Sequence, residues 1–342
     1  MGLEILRPGA LSTVQDKGRR GFLSQGFQES GACDKYSMKL ANLLAGNFEE
    51  PETSAVLEFT LKGGEIRFTS DEIIALAGGD MKPCVNGNPV PMFSPVLVRT
   101  GDILTMDFAV SGLRTYLAVY GGIQVPVVMG SRSTNLKCRM GGLEGRALLE
   151  GDRLESEKSR GKFKKIRKKL KRNEKLAALG EEEPWLRRSS TPYRFYGNDR
   201  MVLLRAVAGP QEDAFTKLGL NTLVRSSFRL SRDCDRMACR LEGEAIEMKK
   251  GADIISDGIA EGSVQISSSG LPMVMMADHQ TTGGYAKIAT VISTDIPALA
   301  QLKPGESVAF QYVTPGEAVA ICRRENEKLN QLKERLMNAV YR

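Results

Sequence analysis

One histidine, His279, and one tryptophan are all that 342 residues contain of either type. A lone histidine cannot complete a Cys/His zinc set. The six cysteines (Cys33, Cys84, Cys138, Cys234, Cys239 and Cys322) nowhere form Cys-x-x-Cys, so no metal site is expected. No apolar run approaches the roughly 18 residues that span a bilayer. The N-terminal Met-Gly-Leu-Glu-Ile-Leu has no signal-length apolar stretch, and Leu6 stands where an acylation motif needs Ser or Thr. A cytoplasmic chain with no membrane attachment, whose thiols are reduced core filler, is the expectation. Also missing are the Gly-x-x-x-x-Gly-Lys-Ser/Thr phosphate loop, a dinucleotide glycine fingerprint and a Gly-x-Ser-x-Gly elbow. A Ser-His-Asp triad would have to use His279. In an extended segment its neighbour Asp278 points to the opposite face.

What is present is glycine, at 35 residues, and a globular balance of 42% hydrophobic and 26% charged residues. Such a chain has room for two domains of short strands joined by tight turns. Strand-like runs lie at Ile73–Leu76, Val96–Val98, Ile103–Met106, Tyr116–Val119 and Met201–Val207. Pro83–Val90 reads as a hairpin bending at Asn86-Gly87. Residues 33–46 read as a helix capped by Asp34 and stopped by Gly46, with Tyr36, Leu40, Leu43 and Leu44 on one face. The tail from Glu317 reads as an amphipathic helix with Leu329, Leu332, Leu336 and Val340 in register.

The net charge of +7 is localised. Lys158 to Arg188 holds thirteen Lys and Arg against four Glu, or +9, which leaves the remainder at −2. Only Phe163 and Trp185 break this basic run with an aromatic ring, and no nucleic-acid fold motif accompanies it. The reading is therefore a solvated linker or helix, not a nucleic-acid contact.

Ser30–Leu40 and Ser231–Leu241 match at a constant offset of 201. Ser30/Ser231, Cys33/Cys234, Asp34/Asp235 and Leu40/Leu241 are identical, and Lys35/Arg236 and Lys39/Arg240 are both basic. Two related β-rich, barrel-like halves flanking the basic segment are expected, with sites in the cleft between them.

The densest chemistry lies at Asp278–Lys287, where the apolar run Met273–Ala277 gives way to Asp-His-Gln-Thr-Thr-Gly-Gly-Tyr before Ile288–Ile292 resumes. That pattern reads as strand, polar loop, strand. The donors and acceptors of Gln280, Thr281, Thr282, Tyr285 and Lys287 suit a small amide-like molecule, a lactam or ureido group. Asp278 or His279 could carry a proton. Gln15, Asp16 and Arg19 put an amide, a carboxylate and a guanidinium in five residues, and Arg132 sits between two serines. These four are expected to bind substrate with the polar loop. No activated nucleophile or nucleotide site is visible, so the chain is not expected to complete a reaction alone.

Arg7-Pro-Gly-x-x-x-Thr-Val-Gln-Asp-x-Gly-Arg19, Ser30-Gly-x-x-Asp34, Leu40-Ala-Asn-x-Leu-x-Gly-Asn47, Gly130-Ser-Arg-Ser-Thr134, Ser256-Asp-Gly-Ile259 and Ala277-Asp-His-Gln-Thr-Thr-Gly-Gly-Tyr285 together resemble the biotin-dependent carboxyltransferase-like family. Its members include the C-type chain of ATP-dependent 5-oxoprolinases, the proteins called allophanate hydrolase subunit 2 and the matching part of urea carboxylase. The resemblance implies a mainly β chain with two tandem cyclophilin-like β-barrel domains and a few short helices. On this sequence these would be 1–155 and 190–316, with a basic linker or insert at 156–189 and the amphipathic helix at 317–342. It implies two partners, a B-type chain and a third component of the 5-oxoprolinase. The reaction implied is the opening of 5-oxo-L-proline to L-glutamate at the expense of ATP bound with or by the partners. No biotin is expected on this chain, which lacks a Met-Lys-Met attachment site. The alternatives are a carboxyltransferase-type component of a urea carboxylase or allophanate hydrolase system, and a regulatory protein antagonising a histidine-kinase inhibitor.

Overall fold

The computed structural model describes residues 2–157, 160–171, 183, 186, 193–196 and 199–341. Much of the basic run from Lys158 to Arg188 lies outside them. Two compact units emerge. The first is drawn from Met1–Arg19, Ser30–Arg188 and Glu327–Arg342, the second from Arg20–Glu29 and Ser189–Asn326. The chain is mainly β in both. No helix among the described residues is long and apolar enough to cross a membrane.

The first unit divides its strands between two antiparallel sheets. The five-stranded sheet has Leu11–Gln15 at one edge, then Val56–Thr60, Ser111–Val119, Glu72–Asp80 and Pro95–Val98. The seven-stranded sheet includes Gly2–Arg7, Glu65–Phe68, Ile103–Thr105 and Arg153–Ser156, and ends in the hairpin Cys84–Val85/Asn88–Pro89. That hairpin turns at Asn86 and Gly87, whose φ values of 51° and 79° are the two left-handed positions of the tight turn that Asn-Gly favours.

Helix α1, Lys35–Ala45, starts where Asp34 accepts from Ser37 N at 2.8 Å and stops at Gly46, with φ 94°. Helix α2, Arg160–Leu170, holds most of the described residues of the basic segment, and it is not fully solvated. Phe163, Ile166 and Leu170, at spacings of three and four, are buried in the first unit's core, and the Phe163 ring lies 5.8 Å from that of Tyr120. Lys162 pairs with Glu49, and Arg167 with Asp71 at 2.8 Å, on the helix flanks.

In the second unit seven strands close on themselves: Asp199–Ala208, Lys287–Val291, Ser263–Ile266, Pro272–Met275, Ala238–Glu242, Ser227–Leu230, Ser307–Tyr312 and back to the first. An odd ring cannot alternate direction all the way round, so at least one pair must be parallel. That pair is Asp199–Ala208 with Ser307–Tyr312, in register from Val202/Val308 to Ala206/Tyr312. Closure removes the exposed edges an open sheet would carry.

Helix α3, Lys217–Arg225, is capped by Thr216, which accepts from Gly219 N at 3.0 Å. It was not legible in advance, because Gly219 sits within its first turn. A Cβ there would lie 2.2 Å from Glu247 O, so the glycine serves close packing. Helix α4 is Ile296–Ala300. Its preceding residue, buried Asp295, is held by Arg205 Nε at 2.9 Å.

The last helix, α5, spans Pro315–Tyr341. Leu329, Leu332, Leu336 and Val340 are all buried in the first unit's core, as their spacing predicts. At roughly 1.5–3 kcal/mol per buried side chain, this one stripe is a large fraction of ordinary domain stability.

The match at offset 201 does not extend to secondary structure. After Asp34 the chain enters α1, whereas after Asp235 it turns and enters the strand Ala238–Glu242. Asp235 Oδ1 accepts from Met237 N at 2.7 Å and Ala238 N at 3.0 Å. A short capping aspartate begins a helix in one place and a tight turn in the other.

Candidate functional site

Each unit contains a buried polar cluster. In the first, Asp16 follows the edge strand Leu11–Gln15 and is 2% exposed. The segment Gly130-Ser-Arg-Ser-Thr134 wraps it. Its Oδ1 accepts from Ser131 Oγ and Ser133 Oγ, both at 2.6 Å, and from Gly18 N at 2.8 Å. Its Oδ2 accepts from Arg132 N at 2.6 Å. Arg19, fully buried, donates from Nη2 to Ser133 O. Gln15 Nε2 donates to Thr13 Oγ1 at 3.0 Å and Thr134 O at 3.1 Å, while its Oε1 accepts nothing among the described residues. The structure therefore brings Gln15, Asp16, Arg19 and Arg132 together. The Asp16 carboxylate, however, is occupied by donors of the protein itself. The Arg132 side chain is half-buried, with Nη2 3.5 Å from Gln124 Oε1.

The second unit brings together Asp278, His279, Gln280, Thr281, Thr282, Tyr285 and Lys287. The polar segment is not loop throughout. Thr282–Tyr285 is a strand, paired antiparallel with Asp253–Gly258 in a two-stranded ribbon apart from the ring. Gly283 is buried there, and a Cβ in its place would lie 2.6 Å from Ile259 Cδ1 and 2.8 Å from Gln265 Nε2. The motifs Ser256–Ile259 and Ala277–Tyr285 are thereby joined, with Asp257 opposite Gly283 and Ile259 N donating to Thr281 O at 3.0 Å.

Asp278 is 4% exposed and forms a two-point ion pair with buried Arg236: Nε to Oδ2 at 2.9 Å and Nη2 to Oδ1 at 3.2 Å. Its backbone N donates to Arg236 O at 2.8 Å. His279 is 1% exposed, and its Nδ1 lies 2.7 Å from Gln280 O. A carbonyl can only accept, so Nδ1 carries the hydrogen. In the neutral ring this leaves the lone pair on Nε2, which has no hydrogen-bond partner among the described residues. Gln280 and Thr282 are exposed, while Thr281 and Tyr285 are half-buried. Tyr285 packs its ring near Ala238, Ile259, Met273 and Met275.

Lys287 is 2% exposed, so its ammonium is spent inside the protein: Nζ donates to Asp257 Oδ2 at 2.9 Å and Gly258 O at 3.0 Å. The Lys287 hydrogen bond, with further donors from Gly258 N and Gln211, holds the Asp257 carboxyl below the usual carboxylate range. Asp257 itself is 53% exposed by side chain and carries the free face of this cluster. Arg236, Asp257 and Gln211 were not singled out from sequence as site residues. Arg236 lay in the repeated segment and Asp257 in the Ser256–Ile259 motif, so each of these two carried a signal. Its partner could not be read from one dimension.

The second unit thus gathers a buried imidazole and a set of polar side chains on one strand–ribbon–strand segment. The family model for "Carboxyltransferase domain, subdomain A and B" matches residues 25–312. The chain belongs to that family. Among individual proteins it is 35% identical to the C-type chain of 5-oxoprolinase from Escherichia coli over 336 residues, covering 98% of this chain and 99% of that one. It is 32% identical to the C-type chain of 5-oxoprolinase from Haemophilus influenzae, covering 97% of each. Among solved structures, the urea carboxylase of Kluyveromyces lactis superposes with a TM-score of 0.84 at 26% identity. That match covers 97% of this chain but only 29% of that longer protein.

Proposed function

We propose that the chain is the C-type component of a 5-oxoprolinase that opens 5-oxo-L-proline to L-glutamate at the expense of ATP. The observation that carries this reading is end-to-end similarity to two proteins named as that component. Both of those proteins are named as one subunit of the enzyme, which supports a multi-chain assembly; ATP is assigned to the partners, a B-type protein and a third chain. The chain is then inactive alone and works in the cytoplasm, with neither biotin nor metal of its own.

Within this chain His279 Nε2 is the group that accepts or returns a proton at the lactam. Asp278 is locked to Arg236 and takes part through the shape of its loop. Gln280, Thr281, Thr282 and Tyr285 supply donors and acceptors to the amide, and Asp257 adds a carboxylate beside them. Hydrogen bonds aimed at a carbonyl oxygen stabilise the charge that develops there as the ring opens. Lys287 orients Asp257. Gln15, Arg19 and Arg132 are assigned to substrate binding through the orphan Gln15 oxygen and the half-buried guanidinium, with Asp16 holding their loop.

The test is co-production with the two partner chains and an assay of ATP-dependent glutamate release from 5-oxoproline. Release above the level of the partners alone is expected, and none over background would end the reading. The fit to a urea carboxylase favours a second reading, transfer of a carboxyl group to urea. In the same complex, carboxylation of urea without 5-oxoproline turnover would select it.

A further inference from the structure

Residues Arg20–Glu29 belong to the second unit although they precede most of the first in sequence. The segment departs and returns through a narrow neck. Ala32 N donates to Asp16 O at 2.9 Å, and Gly18 and Gly31, with φ of 91° and 93°, face each other so closely that a Cβ on Gly31 would lie 2.8 Å from Gly18 N. Such a loop with apposed ends is a compact excursion, not a loose connection. Its body is a short turn, Leu23–Gln25, tied by Gly26 N to Leu23 O at 3.0 Å and Phe27 N to Phe22 O at 3.2 Å. The next residue, Gln28, donates from Nε2 to Asp278 O at 2.9 Å.

That carbonyl belongs to the peptide bond joining Asp278 to His279. The N–H of the same peptide, on His279, donates to Met276 O at 3.0 Å. Both polar ends of one peptide plane are therefore held. The plane carries the Cα from which the imidazole projects, and the ring is fixed a second time through Nδ1 and Gln280 O. Without Gln28 the plane would be held at its N–H end only, by Met276 O.

We infer that Gln28 is a positioning residue that sets the orientation of His279 through the Asp278–His279 peptide. This rests on the reading of His279 as the proton-handling group. Gln28 does not itself touch the reacting atoms.

The single histidine makes the inference measurable without activity, because a tag-free chain labelled with ¹³C-histidine gives one imidazole signal. Gln28→Met, of similar length but lacking the donor, should move that signal. Gln28→Lys, which restores a donor of similar reach, should bring the signal of the neutral ring back toward its wild-type position. In the assembled complex Gln28→Met should lower kcat about tenfold with KM little changed, and Gln28→Lys should recover most of it. An imidazole signal that stays put in folded Gln28→Met overturns the inference, whether or not turnover falls. So does a Gln28→Lys signal displaced as far as that of Gln28→Met. If the signal moves as expected but the wild-type complex does not release glutamate, the proposed reaction is wrong and the positioning role stands.

Discussion

The two units solve the burial of a carboxylate in different ways. Asp16 and Asp278 are both nearly inaccessible, at 2% and 4%. Asp16 is neutralised by dispersed dipoles: two hydroxyls and two backbone N–H groups from two segments of chain. Asp278 is neutralised by one charge, the Arg236 guanidinium. The first arrangement knits a loop to a strand and leaves little capacity over. The second fixes the carboxylate at two points and leaves its neighbour His279 with an Nε2 that has no hydrogen-bond partner among the described residues. Residue types alone could not separate the two, since amides, hydroxyls and carboxylates build a structural network as readily as a substrate site.

The largest effect expected from breaking this comparison is at Asp16. Asp16→Ala strands four donors and should cost about 5 kcal/mol, read as a lower urea midpoint. A variant that kept its stability and lost only activity would instead make Asp16 a substrate group. Arg236→Met leaves the Asp278 carboxylate buried and unpaired, at a cost of about 4 kcal/mol. The double variant Arg236→Met/Asp278→Leu should recover much of that. Next comes His279→Asn, whose amide can replace Nδ1 but not Nε2. It should reduce turnover in the complex about 100-fold, or about 2.7 kcal/mol, with little change in melting temperature.

The smallest effect concerns pH. Hydrogen bonds from Arg146 hold the Asp152 carboxyl below its usual range. A carboxyl with a depressed folded pKa makes the unfolded chain bind more protons, so its contribution is complete above about pH 4 and is lost as pH falls through the folded value. Arg146→Met should cost about 1 kcal/mol at pH 7 and flatten the melting curve's dependence on pH below 4.

Sequence periodicity served well where one local rule decides the outcome. Asn86-Gly87, the Asp34 cap and the leucine stripe of α5 are all of that kind. It failed where distant atoms decide. Gly219 looks like a helix breaker until Glu247 O is seen against it, and Gly283-Gly284 looks like a loop until Asp253–Gly258 pairs alongside. The basic segment read as solvated because few aromatic rings and no nucleic-acid fold motif accompany its charges. Three side chains at the right spacing were nevertheless enough to dock α2. Gln28 gave no signal at all, since its partner is a backbone carbonyl 250 residues away.

The parallel pairing that closes the seven-stranded ring also sets an order of events. Its two strands are separated by about a hundred residues of chain, and one of them, Ser307–Tyr312, is the last strand of all. The first unit waits too, because its core includes Leu329 to Val340. During synthesis the second unit cannot finish before Ser307–Tyr312 has left the ribosome, nor the first before Leu329 to Val340 has. Two units that look separable on paper must then be completed together, and a truncation before Ser307 should yield neither.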